Sequence, residues 1–181
     1  MTNDTLTLSR LWTWAIPARE EDWDALYAAE MPRVYNFFRY RVGEGAVAED
    51  LTSLTFEKAW RARHRYRRDL AAFSTWIFAI ARNVAVDHFR QQRPHVSLDE
   101  AGELPGGSNP EDLAERRSDA ARLAHLLTLL PERERELLSL KYGAGMTNRA
   151  IARTTGLSES NVGTIVHRTV ALLRAGWNPG A

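Results

Sequence analysis

Three groups of residues have the types and spacing to do chemistry, and all of it is binding chemistry. Glu49, Asp50, Ser53 and Glu57 recur at helical spacing and form an acidic seam. Arg61, Arg63, Arg65, Arg67 and Arg68 are interleaved with Trp60, His64 and Tyr66, and Phe73 and Trp76 follow just beyond. Cations that track phosphates and rings that stack on bases are what a single nucleic-acid strand requires. A charge run is also the ordinary composition of a solvated face, so both readings stand on charge alone. The third group runs from Asn148 to His167 and has the pattern of a helix-turn-helix. Ala152 is small where a second helix must cross, Gly156 sits where the turn needs positive φ, and Leu157, Val162 and Ile165 are spaced to lock the two helices. The competing reading is an ordinary helix hairpin.

Catalytic patterns are missing. There is no cysteine, hence no disulfide, thiolate metal site or catalytic thiol. His64, His88, His95, His125 and His167 show no paired metal-ligand spacing. Neither a glycine-rich phosphate loop nor a nucleophile elbow occurs, so no cofactor, metal or enzymatic activity is expected. The apolar runs are too short to span a membrane and the N-terminus lacks a secretory pattern, so the expected location is cytoplasmic, without membrane insertion.

The formal net charge of +1 on 181 residues suggests indifference to nucleic acid, but it is a cancellation. Residues 1–18 sum to zero, 19–57 to −5, 58–93 to +7, 94–118 to −4 and 119–181 to +3. The acidic seam closes the first acidic block, and the interleaved cations and rings make up most of the basic one.

The elements that position these groups read as helices throughout. Trp23, Leu26, Tyr27, Met31, Val34 and Phe38 lie at helical spacing over 21–41, with Pro32 as a kink or restart and Gly43 and Gly45 at the end. In 46–63, Leu51, Leu54 and Ala59 turn inward and the acidic seam turns away. Residues 74–91 start on Ser74 as cap, with Ile77, Ile80 and Val84 as an apolar seam and Asn83, Asp87 and Arg90 as a polar one. Trp76 and Phe78 are read either as core or as stacking rings; Tyr66 and Phe73, in or beside the loop, are the better stacking candidates. A stretch rich in Pro and Gly and acidic, 94–109, reads as a flexible linker. Asn109-Pro110-Glu111-Asp112 then has the composition of a helix start. That helix is expected to reach about Leu130, a second to run from Pro131 through Tyr142, and Gly143 and Gly145 to break it. A short helix over 147–155 and a last one capped by Ser158 complete the set. The fold class is therefore all-α: two small helical domains, 19–93 and 110–177, the second a four-helix domain with a helix-turn-helix. An N-terminal extension, 1–18, contains Leu11, Trp12, Trp14 and Ile16, read either as a tail or as a docking segment; 178–181 is a tail.

Across roughly 22–175 the chain resembles bacterial sigma factors of the extracytoplasmic-function group, with regions two and four only. Residues 48–60, Ala48-Glu49-Asp50-Leu51 through Ala59-Trp60, resemble the region-two helix that binds core RNA polymerase. The segment from Phe73-Ser74-Thr75-Trp76 through Arg82-Asn83, with Asp87 and Arg90, resembles the part that melts and reads the −10 promoter element. Leu130-Pro131-Glu132-Arg133-Glu134-Arg135-Glu136 and the helix-turn-helix resemble region four, which reads the −35 element. The resemblance implies core contacts from Glu49, Asp50, Ser53 and Glu57. It implies −10 contacts from Arg65, Tyr66, Arg67, Phe73, Trp76, Arg82, Asn83, Asp87 and Arg90. On the −35 side it implies Asn161, Gly163, Thr164, His167 and Arg168, with Arg149 and Arg153 on phosphate; Arg168 is placed to bridge a guanine edge or a phosphate. Gly163 and Ile165 depart from the family pattern, which often has a cation there. The implied partners are core RNA polymerase, promoter DNA (duplex at −35, single-stranded at −10) and an anti-sigma protein. The competing function is a two-domain helix-turn-helix regulator that binds duplex operators without polymerase; a helical adaptor is the structural alternative.

Overall fold

The computed structural model describes residues 22–43, 45–92 and 110–177, with side chains at all of these except 92 and 110–118. The 1–18 extension, the 94–109 linker and the 178–181 tail lie outside the described residues. Those described are helical, without strands: α1 (Trp23–Val42), α2 (Gly45–Arg61), α3 (Phe73–Gln92), α4 (Pro110–Thr128), α5 (Glu132–Leu138), α6 (Asn148–Thr155) and α7 (Glu159–Trp177). A 3-10 turn, Arg63–Arg65, follows α2, and a π-helical segment, Ser139–Gly143, extends α5.

Local chemistry explains the boundaries. Asp22 caps α1 by accepting from the Ala25 N–H at 3.1 Å, and Gly43, at φ 78°, ends it. The helix runs through Pro32, which sits on its exposed side. Ser74 is not the cap of α3: the helix begins at Phe73, and the Trp76 N–H already bonds the Ala72 carbonyl at 3.2 Å. The inward face of α2 is Ala48, Leu51, Thr52, Thr55 and Ala59. Its two buried threonines donate to the carbonyls four residues back, Thr52 to Ala48 at 2.6 Å and Thr55 to Leu51 at 2.7 Å, so neither hydroxyl is left unsatisfied. Leu54, expected inward, is 38% exposed, because threonine and alanine take the stripe it would have filled.

The α1–α3 unit and the α4–α7 unit share one core. Val34, Phe37, Phe38, Ile77, Phe78 and Val84 belong to the same buried cluster as Leu137, Leu138, Leu140, Met146, Ile151 and Val162. Helix α1 lies against the π segment, α4 and α5, and α3 meets α6. Gly143, expected as a helix breaker, instead ends the π segment flush against α1. A Cβ there would stand 2.7 Å from the Asn36 carbonyl oxygen and 3.0 Å from the Phe37 Cα. Arg41 and Arg33 reach across from α1. The Arg41 side chain, with the residue only 2% exposed, donates to the Glu132 carbonyl at 3.0 Å, pairs with the Glu132 carboxylate at 3.5 Å and lies over the Phe89 ring at 4.9 Å. Arg33 donates to the Ala144 carbonyl at 2.8 Å while held by Glu30.

Candidate polymerase and nucleic-acid interface

The acidic seam is where helical spacing put it. Glu49, Asp50, Ser53 and Glu57 are all exposed on α2. Glu57 is paired along its own helix with Arg61 at 2.6 Å. Leu54 stands among the acids, at one helical turn from Asp50 and from Glu57, and was missed as part of the site. Its displacement by Thr55 from the inward stripe was the available signal. Tyr27 and Met31 of α1 are also partly exposed, and the Tyr27 ring packs on Phe56 of α2 with centroids 4.5 Å apart. Exposed apolar side chains flanked by acids give this face a composition that suits a protein-docking surface.

At the other end of α2 the rings gather. Trp23 packs edge-on against Trp60 (5.7 Å) and Phe73 (5.4 Å), and Tyr66 lies 5.4 Å from Phe73 and 5.3 Å from Trp76. Phe73, proposed for stacking, is only 6% exposed: its ring is the hub of this cluster and has no free face for a base. Phe78 is fully buried, which settles its reading as core. Trp76 and Tyr66 are half-buried on the cluster's rim. The exposed ring is Trp60, 52% accessible, with the Arg63 guanidinium stacked over it at 4.2 Å. Its place in the interleaved pattern could have found it. Arg65 and Arg67 are exposed, and Arg67 is clipped to Asp69 by paired hydrogen bonds of 2.9 and 2.8 Å. That contact holds the Asp69 carboxyl below its ordinary range.

On α3, Asn83 and Arg90 are exposed, and Asp87 is shared between Arg90 (3.0 Å) and Lys58 (3.7 Å). Arg82 is committed elsewhere. Its Nε donates to Glu136 of α5 at 2.7 Å, and an Nη donates to the Thr154 carbonyl of α6. These two contacts tie Arg82 to the second unit.

In the second unit Thr147 caps α6, Gly156 takes the left-handed turn at φ 74°, and the Ser158 hydroxyl accepts the Asn161 N–H at 3.2 Å at the start of α7. Val162 and Val166 bury the inner face. Asn161, Thr164, His167 and Arg168 are exposed on the outer one, and Gly163 is half-buried. A Cβ on Gly163 would stand 3.3 Å from the Asn148 amide nitrogen, so the glycine gives room to a side chain from the preceding helix. The cations here are moderated by acids: Arg168 bonds Glu134 at 3.2 Å and Arg149 bonds Glu159 at 3.3 Å. Arg153 is exposed. Among the described residues no group of His, Asp and Glu is arranged to hold a metal, and no helix is long and apolar enough to cross a membrane.

Comparison with known proteins follows this geometry. A family model of Sigma-70 region 2 matches residues 26–95, and one of Sigma-70 region 4 matches residues 120–173. The chain is 32% identical over 161 residues to the RNA polymerase sigma factor CarQ of Myxococcus xanthus, covering 86% of this chain and 88% of that one. It belongs to the extracytoplasmic-function RNA polymerase sigma factors. This sigma factor is also 34% identical over 152 residues to BldN of Streptomyces coelicolor, though it spans 57% of that protein's length (82% of its own). With RpoE of Cereibacter sphaeroides it shares 30% over 137 residues, 76% of this chain and 74% of the relative. Two solved structures have the same fold. One is the sigma factor RpoE with the anti-sigma factor NepR from Bartonella quintana, at TM-score 0.72 and 20% identity over 88% of this chain and 99% of that one. The other is CnrH with the cytosolic domain of CnrY, at TM-score 0.61 and 23% identity over 88% and 87%.

Proposed function

We propose that this sigma factor binds core RNA polymerase through α2 and directs it to a limited set of promoters. It reads the −35 element as duplex through α7 and opens the −10 element through the basic aromatic loop and α3. Nucleotide transfer belongs to the polymerase; the sigma factor supplies recognition. The functional units are 19–93 for core and −10 engagement and 110–177 for −35 engagement, with 94–109 as the linker. An anti-sigma protein holds it inactive, a reading supported by the solved complex of the Bartonella quintana sigma factor RpoE, which shares this fold, with the anti-sigma factor NepR.

The observation that carries this reading is the separation of two surfaces within one unit. The α2 face presents Glu49, Asp50, Ser53 and Glu57 around the exposed Leu54, which suits a basic protein partner with an apolar contact at its centre. The loop face presents Arg63 on Trp60 and exposed Arg65 and Arg67 beside Tyr66, which suits unstacked bases on a phosphate backbone. Strand opening at a few kcal/mol per extruded base then needs only a site that holds the open strand better than the duplex does. On the second unit, Asn161, Thr164, His167 and Arg168 face the major groove with Arg149 and Arg153 on phosphate.

Co-purification tests the first step. The full chain is expected to elute with core polymerase at near-equal stoichiometry and to be displaced by a second sigma factor. Elution apart from core at micromolar concentrations of both would contradict the reading.

A further inference from the structure

On the outer side of the helix-turn-helix, the recognition-helix position that carries no side chain is taken by a side chain of the helix before it. We propose that Asn148 of α6 reads a base of the −35 element in place of residue 163, its amide held against the bare Gly163 of α7. The proposal rests on the reading of α7 as the −35 helix and adds to it a specificity-determining residue that α7 does not itself carry.

Gly163 stands one turn into α7, which begins at Glu159, and recognition helices place their base-edge contacts in that first part. Its missing side chain is aimed at α6. A Cβ there would stand 3.3 Å from Asn148 Nδ2, tighter than ordinary contact, so the amide holds the space that any larger residue would claim. Asn148 is the first residue of α6, directly after its cap Thr147, whose hydroxyl oxygen accepts the Ala150 N–H at 3.2 Å. It is half-buried. Ile151 of α6 and Val162 of α7 are both fully buried, so the two helices are packed on either side of this pair and the amide keeps its place beside the glycine.

The amide is uncommitted within the protein. Asn148 Oδ1 is buried and accepts no hydrogen bond, an arrangement that costs stability. Nδ2 donates to no described group either. Its polar neighbours are already partnered. Arg149 bonds Glu159 at 3.3 Å, the Thr164 hydroxyl donates to the Ser160 carbonyl at 3.0 Å, and Arg168 bonds Glu134 at 3.2 Å. The two cations are still drawn to phosphate, which carries no sequence information. A neutral amide donor is directional and distinguishes base edges. Its N–H groups suit the acceptors that the major groove presents, purine N7, guanine O6 or thymine O4. The glycine serves the same end, because a backbone without a Cβ lets α7 approach the groove closely at this point.

The test uses the full chain with core polymerase on a promoter library randomised across the −35 region, read by sequencing the templates that are transcribed. The parent chain selects a −35 motif. Asn148→Ala is expected to relax the preference at one base pair of that motif by about fivefold and to leave the other positions as they are, since loss of a base contact relaxes its own position whereas loss of a phosphate contact weakens all sequences alike. The melting temperature of this variant does not fall, because the substitution also removes the orphaned Oδ1. Gly163→Ala crowds the amide from the other helix while favouring helix formation, so it relaxes the same position to a smaller extent, and it serves if Asn148→Ala does not fold. The double variant is no more relaxed than Asn148→Ala alone, because both changes act through one contact. A motif unchanged by Asn148→Ala, a loss spread evenly over all positions, or relaxation at different positions in the two single variants overturns the proposal. A parent chain that selects no −35 motif at all would overturn the functional reading, and the proposal with it, before any variant is compared.

Discussion

Helices α2 and α3 flank the same core, yet their outer faces are in opposite states. The acids of α2 stand in solvent around Leu54. On α3 the cation at position 82 is covered by the second unit of the chain, while Asn83 one residue on is exposed. An acidic face with an exposed leucine among its acids is left open in the same conformation that ties up a cation on the neighbouring helix. The difference arises from contacts between the units, since α2 and α3 bury comparable stripes on the shared core.

The strongest way to break this comparison is to remove what holds the units together. Arg41→Ala is expected to lower stability by about 2 kcal/mol, from lost packing, one hydrogen bond and a partial cavity, less the desolvation cost that burying arginine carried. Urea melts measure it; a change below about 0.5 kcal/mol would mean that the Arg41 contacts contribute nothing to holding the units together. On the open face, Asp50→Arg is expected to weaken core binding at least about tenfold, by charge reversal against a basic partner, with an unchanged melting curve because the side chain is exposed. Full core affinity in the folded variant would put the docking surface elsewhere. A smaller effect is expected at the recognition helix: Arg168→Ala weakens duplex binding by about fivefold and leaves core binding alone. The modest size follows from Glu134, which already holds the guanidinium at 3.2 Å. Filter binding at fixed salt reads it, and an unaffected duplex would show that Arg168 faces away from the groove. The smallest effect concerns pH. Burial of His88 beside Phe89 lowers its pKa below the ordinary 6.5, so the neutral ring is the form that fits the fold. The unfolded chain binds the proton first, and stability held above pH 6.5 declines as pH falls below it. His88→Gln flattens that part of the stability profile; an unchanged slope would acquit the histidine.

Much of this was legible in the sequence, and the exceptions share a cause. Helix type and the helix-turn-helix were readable because capping and turn chemistry are local: Gly156, Thr147 and Ser158 act on neighbours within four residues. The acidic seam was readable because acids at helical spacing on a half-apolar helix have one place to go. What periodicity missed involves contacts distant in sequence. Arg41 continues the buried stripe of Val34, Phe37 and Phe38 at helical spacing, but an arginine there reads as the basic last turn of a helix until Glu132 and Phe89 are seen around it. Gly143 reads as a breaker because the carbonyl it accommodates is more than a hundred residues away in sequence. Phe73 reads as loop-side and stacking because its partner Trp23 lies on another helix. Even the net charge of +1 divides along the chain, with the acids of 19–57 standing apart from the cations of 58–93.

The most direct measurement is transcription by core RNA polymerase, with and without this chain, across a library of genomic promoter fragments. A small subset of fragments is predicted to give new, sharply initiated transcripts that depend on the chain and are lost with Asp50→Arg. Transcription that is the same with and without the chain across the whole library would contradict its role as a promoter-directing factor.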